Sequence, residues 1–153
     1  MRVAVVMFSP IFDMVCVMNT ISKRTRNAVY DTHVHLVFVV KYRRKALTDE
    51  ILTDCEAIMK RIAKGLGAEL EEFNGESDYV HLLVTVPPAL AVATLVNSLK
   101  GVSSRLLQRD HETHLKELLW KGKLWSRSYY AGTAGGAPLD TLKIYIQNQD
   151  RPK

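Results

Sequence analysis

Apolar residues recur at every second position in several short stretches of the chain, and this alternation predicts β-strands. In the stretch that ends at Val40, one face carries only apolar side chains, whereas the other face carries His33 and His35. Asn74-Gly75, between two such stretches, is a strong signal for a hairpin turn. The predicted strands cover residues 30–40, 68–73, 78–86 and 124–132.

Apolar residues at helical spacing predict three helices, at residues 48–66, at 90–109 and from Pro138 to about Gln149. Thr48 is suited to cap the first of them, because two acidic residues follow it in the turn where the helix dipole favours negative charge. The order strand-helix-strand-strand-helix-strand, followed by a helix, predicts an α+β fold. It is the ferredoxin-like split βαββαβ arrangement, with an antiparallel sheet and an added C-terminal helix.

The first residues of the chain differ from the rest, because they show no clear hydrophobic period. We therefore predict an N-terminal extension over residues 1–19, with Met18 as a candidate true start, and a single domain over residues 20–153. Residues 1–17 are expected to be dispensable for folding. The most apolar run, residues 3–18, is broken by a proline and an aspartate, so we predict no membrane-spanning segment and a cytoplasmic location.

The charge of the chain points to a class of partner. It has 21 lysines and arginines against 16 aspartates and glutamates, which gives a formal net charge of +5 at pH 7. A basic surplus on a domain of this size favours an anionic partner, and nucleic acid is the first candidate. The sequence contains no phosphate-loop, nucleophile-elbow or zinc-protease motif, and Cys16 and Cys55 lack metal-binding spacing.

Two pairs of side chains on predicted strands could carry chemistry. Tyr79 and His81 are two residues apart on the third strand, so both point to the same face. His33 and His35 have the same spacing on the first strand, which is the geometry of paired metal ligands. A structural interpretation applies to both pairs, because polar residues on an open sheet face commonly have no other role.

Two further pairs lie on helical segments. Tyr145 interrupts the apolar stripe of the last helix, and Gln149 follows four residues later on the same face. Without further information, Tyr145 could simply pack and Gln149 could be solvated. His111 and His114 are three residues apart at a charged helix end, and we expect them to be solvated rather than to bind a metal.

Longer motifs make the chain similar to one known family, the single-tyrosine HUH transposases of the IS-two-hundred type. The similarity runs in the same order from about Arg24 to Gln149 and includes several independent stretches. These stretches are His35-Leu-Val-Phe-Val-Val-Lys41-Tyr-Arg-Arg44, Asp78-Tyr-Val-His81-Leu-Leu-Val, Asn97-Ser-Leu-Lys-Gly-Val-Ser-Ser-Arg105, Leu124-Trp-Ser-Arg-Ser-Tyr-Tyr-Ala-Gly132, Gly135-Gly-Ala-Pro-Leu and Tyr145-Ile-Gln-Asn-Gln149.

The resemblance implies a homodimeric DNA transposase that cuts and rejoins hairpin-bearing single-stranded DNA at the ends of an insertion sequence. Tyr145 matches the family tyrosine, which attacks the scissile phosphodiester, forms a 5′-phosphotyrosine link and releases a 3′-hydroxyl. A Mg²⁺ or Mn²⁺ ion assists this reaction. Its family ligands are two histidines and a glutamine, which match position 79, His81 and Gln149.

Position 79 departs from the family pattern, because it is Tyr79 where the family has a histidine. A neutral phenol is a poor ligand for a hard divalent ion, and an ordinary phenol has a pKa of about 10. Three interpretations are open. The protein could be a weakened or inactive relative that acts by binding DNA hairpins, which we favour. Alternatively, Tyr79 or water completes the metal shell, or His33 or His35 reaches the site from the neighbouring strand.

DNA binding has separate support, because basic and aromatic residues are interleaved in the sequence. Flexible single strands are bound by positive charge along the backbone and by aromatic faces against the bases. An RNA-binding module of the same fold is a further alternative, but it leaves Tyr145 and Gln149 without a role. The residues expected to contact DNA are Lys41, Arg43, Arg44, Lys45, Lys100, Arg105, Lys123 and Arg127.

Overall fold

The computed structural model describes residues 23–133 together with Ile144 and Gln147, both of which are helical. The predicted extension over residues 1–19 and the remainder of the predicted C-terminal helix lie outside the described residues. Within the described part of the chain, no helix is long and apolar enough to cross a membrane.

The chain divides into two compact units, Met1–Asp31 and Thr32–Lys153. In the described part of the first unit, two short strands pair in an antiparallel ribbon. These strands are β1 (Lys23–Arg24) and β2 (Val29–Tyr30).

The second unit is built on a four-stranded sheet in which every neighbouring pair is antiparallel. Its elements in chain order are β3 (His33–Val40), α1 (Asp49–Gly65), β4 (Glu69–Gly75), β5 (Tyr79–Thr85), α2 (Val92–Asp110), α3 (Glu112–Leu118) and β6 (Trp125–Thr133). The strand order is β4-β5-β3-β6. This is the order of the ferredoxin-like split βαββαβ fold, so the predicted fold class is confirmed.

The hydrophobic core lies between one face of the sheet and the helices α1 and α2. Leu36 and Phe38 of β3 and Leu82 of β5 are fully buried there, as the alternation along these strands predicts. Leu95 and Leu99 of α2 are buried against them. Each side chain of this size contributes about 1.5–3 kcal/mol when it leaves water, so this face determines the orientation of the strands.

The first helix begins as its sequence predicts. The hydroxyl of Thr48 accepts a hydrogen bond from the backbone N–H of Ile51 at 3.2 Å, and Asp49 and Glu50 occupy the first turn. Cys55 lies in the core at the middle of α1. Burial raises the pKa of its thiol well above the ordinary range, and the nearby carboxylates Glu56 and Asp54 add to this effect. Cys55 is therefore an unreactive core residue.

The hairpin turn between β4 and β5 lies later than predicted. Asn74 and Gly75 belong to β4, and the turn is closed by Glu76, whose backbone N–H donates to the carbonyl of Tyr79 at 2.9 Å. Gly75 is required because the backbone of Tyr79 passes close to it, and not because its φ angle is unusual. A Cβ atom on Gly75 would lie 2.5 Å from the carbonyl oxygen of Tyr79 and 3.1 Å from a methyl group of Leu52.

Helix α3 was not predicted, and it brings two histidines into contact with the rest of the domain. His111 Nε2 lies 2.6 Å from a carboxylate oxygen of Asp54 on α1, and His114 Nε2 lies 3.1 Å from the carbonyl oxygen of Ala46. His111 is largely covered in its contact with Asp54, so the expectation that it is solvated is wrong, whereas His114 is exposed as expected. Both bind groups that precede α2 in the chain, and sequence spacing alone does not reveal such contacts.

Gly75→Ala should lower the free energy of unfolding by about 1–3 kcal/mol, because the new methyl group overlaps with the carbonyl oxygen of Tyr79. Gly101→Ala is the matched control, since a methyl group there meets nothing within 4 Å. In the middle of α2 it should raise stability by about 0.5–1 kcal/mol. Urea unfolding of the two variants checks both values, and a Gly75→Ala protein as stable as the parent would contradict the close approach.

Candidate active site and nucleic-acid interface

The face of the sheet that points away from α1 and α2, here called the distal face, carries the candidate catalytic side chains. Val37 on β3 pairs directly with His81 on β5 and with Tyr130 on β6. Residues that face each other across antiparallel strands point to the same side, so His81 and Tyr130 both lie on the distal face. His35 and Tyr79 share this face because each is two residues from a member of this row.

His35 and His81 contact each other through their ring nitrogens. His35 Nε2 lies 3.1 Å from His81 Nδ1, which is within hydrogen-bonding distance. The ring centres are 5.3 Å apart and the ring planes differ by 28°. The distance between the ring centres exceeds the distance between the two nitrogens by about the width of one imidazole ring. The rings therefore meet end to end rather than face to face.

Tyr79 contacts the other side of this pair. Its ring lies edge-on to His81, with the ring centres 4.9 Å apart and the planes at 63°. Tyr130 contacts His35 in a similar way, with the centres 5.9 Å apart and the planes at 71°. The His81 ring therefore lies between His35 and Tyr79, and the phenol is close to the histidine that the family resemblance predicts as a metal ligand.

The environment keeps both histidines neutral. Burial lowers the pKa of His81 from its ordinary value of 6.5 to about 4, with His35 adding to this effect and Glu76 opposing it. Burial also lowers the pKa of His35. Each ring therefore carries one N–H and one lone pair at neutral pH. A neutral imidazole is the form that binds a metal ion.

The described residues show no complete metal site. Residues 23–133, with positions 144 and 147, contain no group of three or more His, Cys, Asp or Glu side chains that could hold an ion. Tyr145 and Gln149 lie outside the described residues. Gln147, between them in the sequence, donates from Nε2 to a carboxylate oxygen of Glu72 at 3.0 Å.

The position of Glu72 makes this contact informative. Glu72 pairs with Leu83, which is two residues from His81 on β5, and therefore lies on the distal face. The C-terminal segment thus reaches the distal face at Gln147.

His33 takes part in a different cluster, at the other end of β5. Its Nδ1 lies 3.3 Å from a carboxylate oxygen of Glu71 and 3.2 Å from the hydroxyl of Thr85, and that hydroxyl donates to the same carboxylate. His33 is 8% exposed. Of the two first-strand histidines, the structure places only His35 beside His81.

The predicted basic segment after β3 forms a tight and strained turn. Tyr42 and Arg43 have positive φ angles of 61° and 53°, which are uncommon for residues with side chains. Arg43 Nε donates to the Asp78 carboxylate at 2.9 Å. The Tyr42 ring is 61% exposed, and the Lys41 ammonium lies 5.2 Å from its centre. The turn therefore presents an exposed aromatic face beside positive charge.

Lys100 makes contacts within the fold that the sequence does not indicate. Its Nζ donates to the backbone carbonyls of Ser126 at 2.6 Å and Arg127 at 3.1 Å. The ammonium also lies 6.0 Å from the Phe38 ring centre and 5.5 Å from that of Tyr129. Burial lowers its pKa. Lys100 thus links α2 to the start of β6, which the sequence did not indicate, and its contact with DNA stays a prediction.

The remaining basic candidates lie on the surface. Arg105 on α2 lines a cavity of about 470 Å³ together with Arg109 and Lys116. All of the following predicted DNA contacts are exposed: Arg44, Lys45, Arg105, Lys123 and Arg127.

Comparison with known proteins identifies the class to which this fold and site belong. The family model described as "Transposase IS200 like" matches residues 28–149. The ISDra2 transposase TnpA of Deinococcus radiodurans is 35% identical over 127 residues, which cover 83% of this chain and 90% of that protein. The transposase for insertion sequence element IS200 of Salmonella typhimurium is 32% identical over 117 residues, covering 75% of this chain and 74% of that protein.

The chain belongs to the IS200-like transposase family. This membership confirms the family resemblance seen in the sequence and implies an activity of DNA cleavage and transfer. One solved structure, of a Deinococcus radiodurans R1 protein assigned as a transposase, has a TM-score of 0.68 and 35% identity, covering 84% of this chain and 98% of that one. A REP-associated tyrosine transposase bound to a REP hairpin has a TM-score of 0.52 at 10% identity, covering 82% and 68%, and supports the fold alone.

The lowered pKa of His81 predicts a pH dependence of stability. Between pH 6.5 and about pH 4, the unfolded chain binds a proton that folded His81 does not bind. The free energy of unfolding should therefore fall as the pH decreases through this window, and His81→Phe should reduce that fall. Urea unfolding across the window tests this, and an NMR titration that finds His81 protonated near pH 6.5 would contradict it.

Proposed function

We propose that this chain is a transposase that cuts and rejoins hairpin-bearing single-stranded DNA through a phosphotyrosine link, assisted by a divalent metal ion. The observation that carries the proposal is the neutral imidazole of His81, held on the distal face by His35 in a chain of the IS200-like transposase family. Transposition requires a strand to be cut and later resealed, and a covalent link to the protein conserves the energy of the broken bond.

Tyr145 is the proposed nucleophile. Its hydroxyl loses a proton, and the oxygen attacks the scissile phosphorus while the bond from phosphorus to the 3′-oxygen breaks. The 3′-oxygen takes up a proton and leaves as a hydroxyl, and the 5′-phosphate stays on the tyrosine. In the joining step, a 3′-hydroxyl attacks the same phosphorus and releases Tyr145. No high-energy cofactor is consumed.

The contact of Gln147 with Glu72 brings the C-terminal segment to the distal face, where His81 also lies. Positions two apart do not share a helix face, so this contact supports the approach of the segment and not a direction of Tyr145 or Gln149.

His81 and Gln149 are the residues that would hold the metal ion, Mg²⁺ or Mn²⁺. The described side chains fit such an ion in part, since His81 is neutral whereas Tyr79 offers a phenol oxygen. A bound ion would polarise the phosphate and offset the charge that builds up during attack. The chain's own contribution is to hold the His81 ring between two neighbours on a rigid central strand.

A second candidate function follows from Tyr79. With a phenol in place of a family histidine, the site lacks a nitrogen ligand, and loss of metal affinity would leave a protein that binds DNA hairpins without cutting them. The two candidates share the DNA surface and differ only in cleavage.

The proposed DNA surface includes the turn after β3. It combines Lys41, Arg44 and Lys45 with the exposed ring of Tyr42, as single-strand binding requires. The REP-associated relative with the same fold is bound to a hairpin, which supports hairpin DNA as the ligand of this chain.

We further propose a homodimer formed through the sheet. Strand β6 is at one edge of the described sheet, and residues 127–131 along it are exposed. Tyr129 and Tyr130 are 40% and 58% exposed. A long edge strand is a template for pairing with a second copy.

Replacing Arg44 and Lys45 together by glutamine should weaken the binding of hairpin single-stranded DNA and reduce its dependence on salt. Each lost phosphate contact removes about one unit from the slope of log affinity against log salt. The matched control replaces Lys60 and Arg61, an exposed pair of the same charge on α1. Fluorescence anisotropy at several salt concentrations measures both, and equal losses in the two double variants would argue against this surface.

Tyr79→His should increase metal affinity by about tenfold or more and should increase strand cleavage, because it restores an imidazole beside His81. Tyr145→Phe should abolish the covalent DNA adduct in either background while leaving hairpin binding nearly intact. The comparison uses the parent, both single variants and the double variant, incubated with hairpin DNA and Mn²⁺ and analysed on denaturing gels.

Two outcomes of this comparison would change the assignment. Adducts that persist with Tyr145→Phe would show that another side chain is the nucleophile. A parent that already cleaves as fast as Tyr79→His would show that Tyr79 does not weaken the site.

A further inference from the structure

The contact between His35 and His81 determines which atom of His81 is available to a metal ion. His81 Nδ1 is directed at His35 Nε2 at 3.1 Å, and the end-to-end arrangement of the rings aligns the lone pair of one nitrogen with the N–H of the other. The other nitrogen of the ring, Nε2, therefore points away from His35. One ring nitrogen of His81 is used in the contact with His35, and the other lies on the opposite side of the ring from His35.

We propose that His35 is a positioning residue that orients His81 for metal binding through Nε2. This inference rests on the proposed function. In the metal-binding form, His81 carries its proton on Nδ1 and donates it to Nε2 of His35, so that Nε2 of His81 keeps its lone pair. Hydrogen bonds of this kind from the second ring nitrogen fix the tautomer and orientation of metal-ligating histidines in many proteins.

The same geometry argues against His35 as a replacement ligand. An ion between the two contacting nitrogens would need about 2 Å to each, or about 4 Å in total, whereas they are 3.1 Å apart. The two nitrogens also point at one another rather than converging on a third point. His35 thus acts on the metal through His81.

The position of His35 is itself well determined. It lies on the central strand β3, where it pairs with Leu83 on one side and Gly132 on the other. The Tyr130 ring contacts it edge-on. A side chain fixed by two neighbouring strands and an aromatic contact is suited to hold another ring in one orientation.

A first experiment needs no metal. In the metal-free parent labelled with ¹⁵N, NMR should detect a scalar coupling between His35 Nε2 and His81 Nδ1 across their hydrogen bond. His35→Ala should abolish this coupling and allow the two tautomers of His81 to mix. Absence of the coupling in the folded parent would overturn the proposal, whatever the protein does to DNA.

A second experiment measures Mn²⁺ affinity in the Tyr79→His background, where binding is expected to be strong enough to quantify. His35→Ala should weaken binding by about 10–100-fold, and His35→Gln should recover part of it, because its amide oxygen can accept the Nδ1–H of His81. His33→Gln is the matched control on the same strand and face, and it should leave the affinity within about twofold of the background. Unchanged affinity with His35→Ala would contradict the positioning role.

A third measurement separates a positioning residue from a ligand. Electron–nuclear double resonance counts the imidazole nitrogens bound to Mn²⁺, and this number should stay at two when His35→Ala is added to Tyr79→His. Loss of one nitrogen would make His35 a ligand and overturn the proposal. If Mn²⁺ does not bind even in Tyr79→His, the proposed metal-assisted function fails. The coupling experiment still tests the hydrogen bond between His35 and His81.

Discussion

The pairing of β3 with β5 is the interaction on which the rest of this structure depends. It sets Val37 opposite His81 and Leu36 opposite Leu82. Because side chains alternate between the two faces of a strand, a slip of one residue would turn His81 into the core and Leu82 to the distal face. The burial of the aliphatic residues against α1 and α2 opposes that slip. The hydrophobic core therefore also determines where the chemistry lies.

Partial burial has a second consequence on the distal face, which is electrostatic. It lowers the pKa of His35 and of His81, so two adjacent imidazoles are neutral and can share one proton in a hydrogen bond. Two charged rings at this distance would repel each other. The same effect lowers the pKa of Lys100, whose ammonium is directed at backbone carbonyls of β6. Desolvation thus lowers the pKa of the candidate metal ligand His81 and also of Lys100, which contacts the edge strand β6.

Sequence periodicity predicted the fold because the core residues of each strand and helix recur at regular spacing within a short stretch of sequence. It predicted the four strands of the main sheet, the Thr48 cap and the shared face of Tyr79 and His81. It did not predict which partner His81 has. His35 pairs directly with Leu83 and reaches His81 diagonally, so the contact depends on strand stagger and on side-chain rotamers.

Other contacts in the structure depend on residues that are distant in sequence or on packing that a sequence pattern does not reveal. Asn74-Gly75 resembles a turn, yet the glycine serves a close approach to the Tyr79 carbonyl from within β4. The contacts of His111 with Asp54 and of Lys100 with β6 join residues far apart in the chain. Their charged neighbourhoods gave no signal of these partners, because a charge run has the same pattern whether it is solvated or pairs with distant groups.

Tyr79 and the basic turn after β3 are held by different contacts. It lies at the start of β5, and the structure places its ring against His81, whereas the basic turn after β3 is anchored by the Arg43–Asp78 ion pair and by backbone contact of Lys41 with Leu124. A change at position 79 alters the donor atoms near His81 without removing either anchor. Under the proposed function, loss of one metal ligand would act on cleavage while both anchors of the basic turn are preserved. The orientation of His81 is also preserved, because it depends on His35 across the sheet, so the site keeps the framework into which a single histidine at position 79 would fit.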